Sequence, residues 1–169
     1  MPERKTLERA REDRRQGKAP STQAGEFVRE EMDHIRKGRH GARSTKQAIA
    51  IGLSKARRAG VELPAPKRGS VSEQTLRNAK RDSQRGQSGD GAKKPAAKRS
   101  RAVKKALKRE GRKAASPGAL SRQAKGAARK RTASDRKAAA RKGVRTKGAG
   151  ERSAAARKAA RTRARKRAR

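Results

Sequence analysis

Apolar residues are not spread evenly along this chain. Of the large ones (Leu, Ile, Val, Met, Phe), eleven fall in residues 1–66 and six in the remaining 103. Where they occur, their spacing predicts helices. Over 21–38, Ala24, Phe27, Val28, Met32 and Ile35 recur at intervals of three and four, which places them on one helical face. Glu26, Glu30 and Glu31 lie toward the start of that stretch, and Arg36 and Lys37 in its last turn, an order that suits the helix dipole. Ser21 or Thr22 can serve as the N-cap, and Gly38 as the stop.

A second amphipathic stretch covers 44–60. Ala48, Ile49, Gly52, Leu53 and Ala56 form its stripe, with Ile51 at the edge. Ser44 with Gln47 fits the capping-box pattern, in which the two side chains satisfy free backbone N–H groups at the helix start. Gly60, then Val61 and Pro64, read as a C-terminal stop. Gly52 in mid-helix either admits close approach of the preceding helix or is a tolerated glycine. The predicted unit is a helical hairpin over 21–63, with helices about 22–37 and 45–59 joined by Gly38-Arg39-His40-Gly41-Ala42-Arg43. Its expected apolar contacts are Phe27, Val28, Met32, Ile35, Ile49 and Leu53. So small a core is marginal alone, which leaves a homodimer or a protein partner on the head as expectations.

The rest of the pattern is weaker. Residues 1–20 alternate acids and bases around Leu7, the only large apolar side chain of 3–16, and predict a solvated helix ending near Gly17. Residues 64–97 read as a linker with a weak helix over about 71–85, opened by Ser70 and Glu73, and with 86–97 linker-like. Residues 98–169 are low-complexity Lys/Arg/Ala sequence interrupted by Gly111, Pro117-Gly118, Gly126, Gly143, Gly148 and Gly150.

Charge sharpens this division. The chain carries 53 Lys+Arg against 15 Asp+Glu, a net of +38. Residues 1–66 account for +7 and residues 67–169 for +31. Low hydrophobicity with high net charge cannot bury enough apolar surface to offset ordering entropy. Like charges at i,i+4 also repel along a helix. The expected fold class is therefore mostly α and disordered: a small N-terminal helical hairpin followed by a long polybasic tail with transient helices. Stretches 100–110, 134–142 and 151–168 are expected to gain helix on a polyanion.

Such a tail needs a polyanionic partner. The expected partner is nucleic acid, duplex DNA ahead of RNA, because Phe27 is the only aromatic available for stacking on unpaired bases. The expected phosphate contacts are Lys98, Arg99, Arg101, Lys104, Lys105, Lys108, Arg109, Arg112, Lys113, Arg129, Lys130, Arg131, Arg136, Lys137, Arg141, Lys142, Arg157, Lys158, Arg161, Arg163, Arg165, Lys166, Arg167 and Arg169. Phosphate contacts carry no sequence information. The function expected is that of a histone-like, nucleoid-associated, sequence-nonspecific DNA-binding protein of the cytoplasm. The alternatives are an RNA- or ribosome-associated basic protein and a regulatory adaptor with a protein-binding head.

Other chemistry is set aside. There is no cysteine, no phosphate-cradling glycine loop and no nucleophile–base arrangement, so neither catalysis nor a cofactor is expected. His34 and His40 are the only histidines; Glu30, Glu31 and Asp33 beside them read as surface charge rather than metal ligands. No apolar run reaches the length needed to span a bilayer.

Two resemblances accompany these residues. KKPAAKRSRAVKKALKR, Ser116-Pro117 and DRKAAARKG look like linker-histone tails and the Lys/Ala-rich tails of bacterial histone-like proteins. The head, and above all STKQAIAIGLSKARRAG from Ser44 to Gly60, resembles a family of small bacterial proteins of unknown function often labelled DNA-binding. That resemblance implies a bacterial source and a two-helix head, and carries over no functional residue.

Overall fold

Helix ends in this protein follow local chemistry. In the computed structural model, which describes residues 2–88, 97–146 and 148–168, eight α-helices are present. They are α1 (Arg4–Arg15), α2 (Pro20–Arg36), α3 (Thr45–Arg58), α4 (Glu73–Gln87), α5 (Ala97–Arg109), α6 (Pro117–Arg129), α7 (Ala133–Thr146) and α8 (Ala149–Arg167), with one 3-10 turn at Lys113–Ala115. Residues 1–123 form one compact unit and 124–169 a second.

α2 starts two residues earlier than its serine suggests: Ala19 is the N-cap and Pro20 opens the helix, its missing N–H costing nothing in the first turn. At α3, Ser44 Oγ accepts from the Gln47 N–H at 3.2 Å. The returning arm of the box goes to the neighbouring residue, with the Arg43 N–H donating to Gln47 Oε1 at 2.8 Å. α3 ends in a Schellman turn. Gly60 has φ +87°, its N–H donates to Arg57 O at 3.0 Å, and the Val61 N–H donates to Ala56 O at 3.1 Å. The cap of α4 is Ser72, which accepts from the Thr75 N–H, rather than Ser70.

α2 and α3 cross in close contact at Gly52. A Cβ there would lie 2.7 Å from Val28 Cα and 3.0 Å from Val28 Cγ2, so the glycine admits the facing backbone. The predicted face of α2 divides between two apolar clusters. Phe27 and Ala24 pack with Ala10, Ala56 and Val61, flanked by Leu7, Leu53 and Leu63. Met32 and Ile35 pack with Ala42, Ala48, Ala114 and Ala115, flanked by Val28, Ile49 and Leu120. Thus α1 is not a free solvated helix: Thr6 and Ala10 are buried, and Arg9 pairs with Glu26 at 2.7 Å. α4 buries Leu76 and Ala79, and its Asp82 accepts from Ser54 and faces Arg58 at 3.8 Å.

Two features overturn the expected head-plus-disordered-tail architecture. First, the polybasic region is helical through α5, α6, α7 and α8. Ala is the best helix former, with Lys and Arg close behind, and each like-charge i,i+4 pair costs only about 0.2–0.5 kcal/mol. Local caps add to this. Ser116 Oγ accepts from the Ala119 N–H with Pro117 in the first turn of α6. Thr132 and Asp135 form a reciprocal capping box at α7: the Asp135 N–H donates to Thr132 Oγ1 and the Thr132 N–H to Asp135 Oδ2. Gly126 and Gly143 lie inside helices rather than ending them. The linker expected over 86–97 falls largely outside the described residues.

Second, part of the supposed tail completes the head. Ala115 is fully buried and Ala114 nearly so, both against Met32, Ile35, Ala42 and Ala48. The backbone is stitched down around them. The Gly41 N–H donates to Leu107 O at 2.8 Å and the Ala42 N–H to Gly111 O at 3.2 Å. Thr45 Oγ1 donates to Ala114 O at 2.7 Å, and Arg36 Nε to Ala115 O at 3.0 Å. A hairpin with a marginal core gains a third wall from residues 107–120.

Candidate nucleic-acid interface

The expected phosphate contacts sort onto successive helices. α5 carries Lys98, Arg101, Lys104, Lys105, Lys108 and Arg109; Arg112 and Lys113 follow in the docked segment. Arg129 ends α6, and Lys130 and Arg131 lie between α6 and α7. α7 carries Arg136, Lys137, Arg141 and Lys142; α8 carries Arg157, Lys158, Arg161, Arg163, Arg165 and Arg167. All of these are exposed. Arg169 lies outside the described residues, as do the side chains of Arg99 and Lys166.

Among its described residues the second unit has no apolar interior. Every residue of 124–168 whose side chain is described is exposed apart from Ala159, whose exposure is intermediate. Residues 124–169 hold 19 Lys+Arg against Asp135 and Glu151, so internal counter-charge can neutralise only a small part. Helix α8 places its bases on opposing sides instead of gathering them on one face: Arg157, Lys158 and Arg161 share one side, and Arg152, Arg163 and Arg167 lie across the helix from them. The first unit differs. Many of its acids are paired, among them Asp13 with Lys18 at 2.7 Å, Glu26 with Arg9, and Glu3 with Arg39 at 2.6 Å.

A buried ionic cluster in the first unit is the feature that sequence reasoning missed. Glu30 and Glu31, read as surface acids, are 4% and 1% exposed. Glu31 falls on the same stripe as Phe27 and Ile35, four residues from each, and that spacing is the signal that could have placed it inside. Lys55 of α3 reaches both acids, with Nζ 2.6 Å from Glu31 Oε2 and 3.3 Å from Glu30 Oε1. His40 Nε2 lies 3.3 Å from Glu31 Oε1, and His34 Nδ1 4.0 Å from Glu30 Oε1. Glu3 closes the outer side: Oε1 accepts from His34 Nε2 at 2.9 Å and from Arg39 at 2.6 Å, and its backbone N–H donates to Glu30 Oε2 at 3.0 Å. The hydrogen bonds from His34 and Arg39 hold the Glu3 carboxyl down at about 2. Elsewhere, burial lowers the Arg57 guanidinium against the opposing pull of Asp82.

Residues 4–68 match a family of unknown function (DUF6496). The match spans α1, α2 and α3, including Glu30, Glu31, His34, His40 and Lys55, and leaves the polybasic helices outside it. No curated protein and no solved structure matches the chain. No helix among the described residues is long and apolar enough to cross a membrane.

Proposed function

We propose that this protein binds duplex DNA without sequence preference, through phosphate contacts from the exposed bases of α5 to α8, in the manner of a histone-like nucleoid-associated protein. The observation that carries the reading is the second unit: 19 bases against 2 acids, on helices that bury no core of their own. A helical array with no interior gains little by shielding apolar surface. Its net charge is disfavoured by self-repulsion until a polyanion neutralises it.

Phosphate neutralisation releases counterions, so log affinity falls against log salt with a slope of about −0.9 per phosphate neutralised on duplex DNA. Helix α8 offers bases on opposing sides, which suits phosphates of both strands flanking a groove. The test is fluorescence anisotropy with a labelled 25-base-pair duplex across a salt series. The full chain is compared with a variant carrying Gln at Arg157, Lys158, Arg161, Arg163, Arg165 and Arg167, a change that preserves helix propensity. The variant is expected to bind more weakly, with a slope shallower by about 0.9 for each phosphate it no longer neutralises. Equal affinity and equal slope would overturn the reading. Tighter binding to structured RNA than to the duplex at equal salt would move it to the RNA- or ribosome-associated alternative.

A further inference from the structure

We propose that Glu31, His34 and His40 form a binding site for a single divalent transition-metal ion of the zinc class. Each offers one ligand atom, and these atoms lie within 4.8 Å of one another. Each ring has an outer partner, and that of His40 fixes its tautomer. His40 Nδ1 donates to the Gly41 carbonyl at 3.1 Å, which leaves Nε2 as the lone-pair nitrogen facing Glu31 Oε1 at 3.3 Å. His34 Nε2 lies 2.9 Å from both Glu3 Oε1 and Arg39 Nη1; as donor to the carboxylate it leaves Nδ1 free, 4.0 Å from Glu30 Oε1. A metal-bound histidine ordinarily hands its second N–H to a carboxylate or a backbone carbonyl, and both rings here have such an acceptor within reach.

A lone-pair nitrogen and a carboxylate oxygen facing each other across 3.3 Å repel unless a cation lies between them. The cation is either a proton on His40 or a metal ion. The separation matches the edge of a tetrahedron with bonds of about 2.0–2.1 Å, the lengths zinc takes to imidazole and carboxylate. Glu31 is buried, and neither of its oxygens accepts a well-directed hydrogen bond. Lys55 holds Oε2 by an ion pair, so Oε1 alone is offered. Three carboxylates (Glu3, Glu30 and Glu31) meet two fixed cations (Lys55 and Arg39) here, so the locality is anionic within a chain of net charge +38. That overall charge repels cations elsewhere and lowers adventitious uptake. Two imidazoles with one carboxylate suit zinc-class ions rather than calcium or magnesium, which prefer all-oxygen shells.

The ion would tie α2 to the loop over 37–44. That loop holds residues 107 and 111 through Gly41 and Ala42, so metal occupancy reinforces the docked segment.

The experiment uses the full chain, stripped with a chelator and titrated with Zn(II) by calorimetry and with Co(II) by visible absorption. The expected result is saturation at a single equivalent, tetrahedral Co(II) bands and a raised melting temperature. His40→Ala is expected to lose Zn(II) affinity by at least about 100-fold, and Glu3→Gln, which alters only the outer partner, by about 10-fold. The unfolding transition in chelator reports whether each variant folds; if His40→Ala does not, Glu3→Gln decides. Absence of stoichiometric uptake by the parent chain would overturn the site and leave His40–Glu31 as a proton-bridged ion pair. Unchanged affinity in a folded variant would overturn it equally.

Discussion

Replacing Gly52 by Ala tests the close approach that sets the spacing of α2 and α3. In an open helix interior the change should stabilise by about 1 kcal/mol, the propensity difference between the two residues. Here the new Cβ meets Val28 Cα at 2.7 Å and Val28 N and Cγ2 at 3.0 Å. Carbon atoms at rest sit about 3.5–4.0 Å apart, so the helices must separate by roughly 1 Å. Two of the three atoms met are backbone, which cannot rotate away. Overpacking of this kind costs about 1–3 kcal/mol, and the backbone clash puts it at the upper end. The net expected change is a loss of about 1–2 kcal/mol once the propensity gain is subtracted. Gly25 supplies the control: it lies in α2 and an added Cβ meets nothing within 4 Å. Gly25→Ala should therefore stabilise by about 0.5–1 kcal/mol. Differential scanning calorimetry is the assay, because helices without a core contribute little cooperative heat. For a unit of this size, roughly 3–5 °C accompanies each kcal/mol, so the two variants should melt about 5–15 °C apart. If Gly52→Ala raised the melting temperature as Gly25→Ala does, the close approach would be refuted.

Gly41→Ala should undock the segment around Ala114 and Ala115, because the new Cβ would fall 1.8 Å from Glu110 O; hydrogen exchange at Gly111, Ala114 and Ala115 should rise while that of α2 changes less. Lys55→Met should destabilise by about 3–5 kcal/mol, since it strands two buried carboxylates, and urea unfolding would measure it; a loss under about 1 kcal/mol would argue that the acids are not paired through Lys55. Glu3 is held at about 2 against an ordinary value of 4.5, so its stabilising contribution is full above about pH 4.5 and is lost as pH falls toward 2. Melting curves of the parent chain and Glu3→Gln should accordingly differ near pH 5 and converge near pH 2. Thr132→Ala should cost α7 about 1 kcal/mol of cap energy, read as lost ellipticity at 222 nm.

What could be read from the sequence was what depends on neighbours along the chain. The stripe of Phe27, Met32 and Ile35, the Ser44 cap and the Gly60–Val61 stop are each defined within a few residues, so the turns they specify can be written down before any fold is known. The concentration of bases after residue 66 is likewise a property of the chain alone. Composition misled where it averaged over local chemistry. Thr132 with Asp135 and Ser116 with Pro117 are caps, and Ala-rich runs are helix formers whatever the net charge around them.

Tertiary structure decided what lies inside. Ala114 and Ala115 are too small to announce themselves as core, yet they fill the space left by Met32, Ile35, Ala42 and Ala48 because Gly41 lets the backbone approach. Glu31 sits on an apolar stripe, but only the folded chain brings Lys55 and His40 to it from residues distant in sequence. The sequence by itself determined the helices and the charge of this protein, since both are local sums. Which acids are buried, and that the basic region lends a segment to the head, followed from packing between residues far apart in the chain.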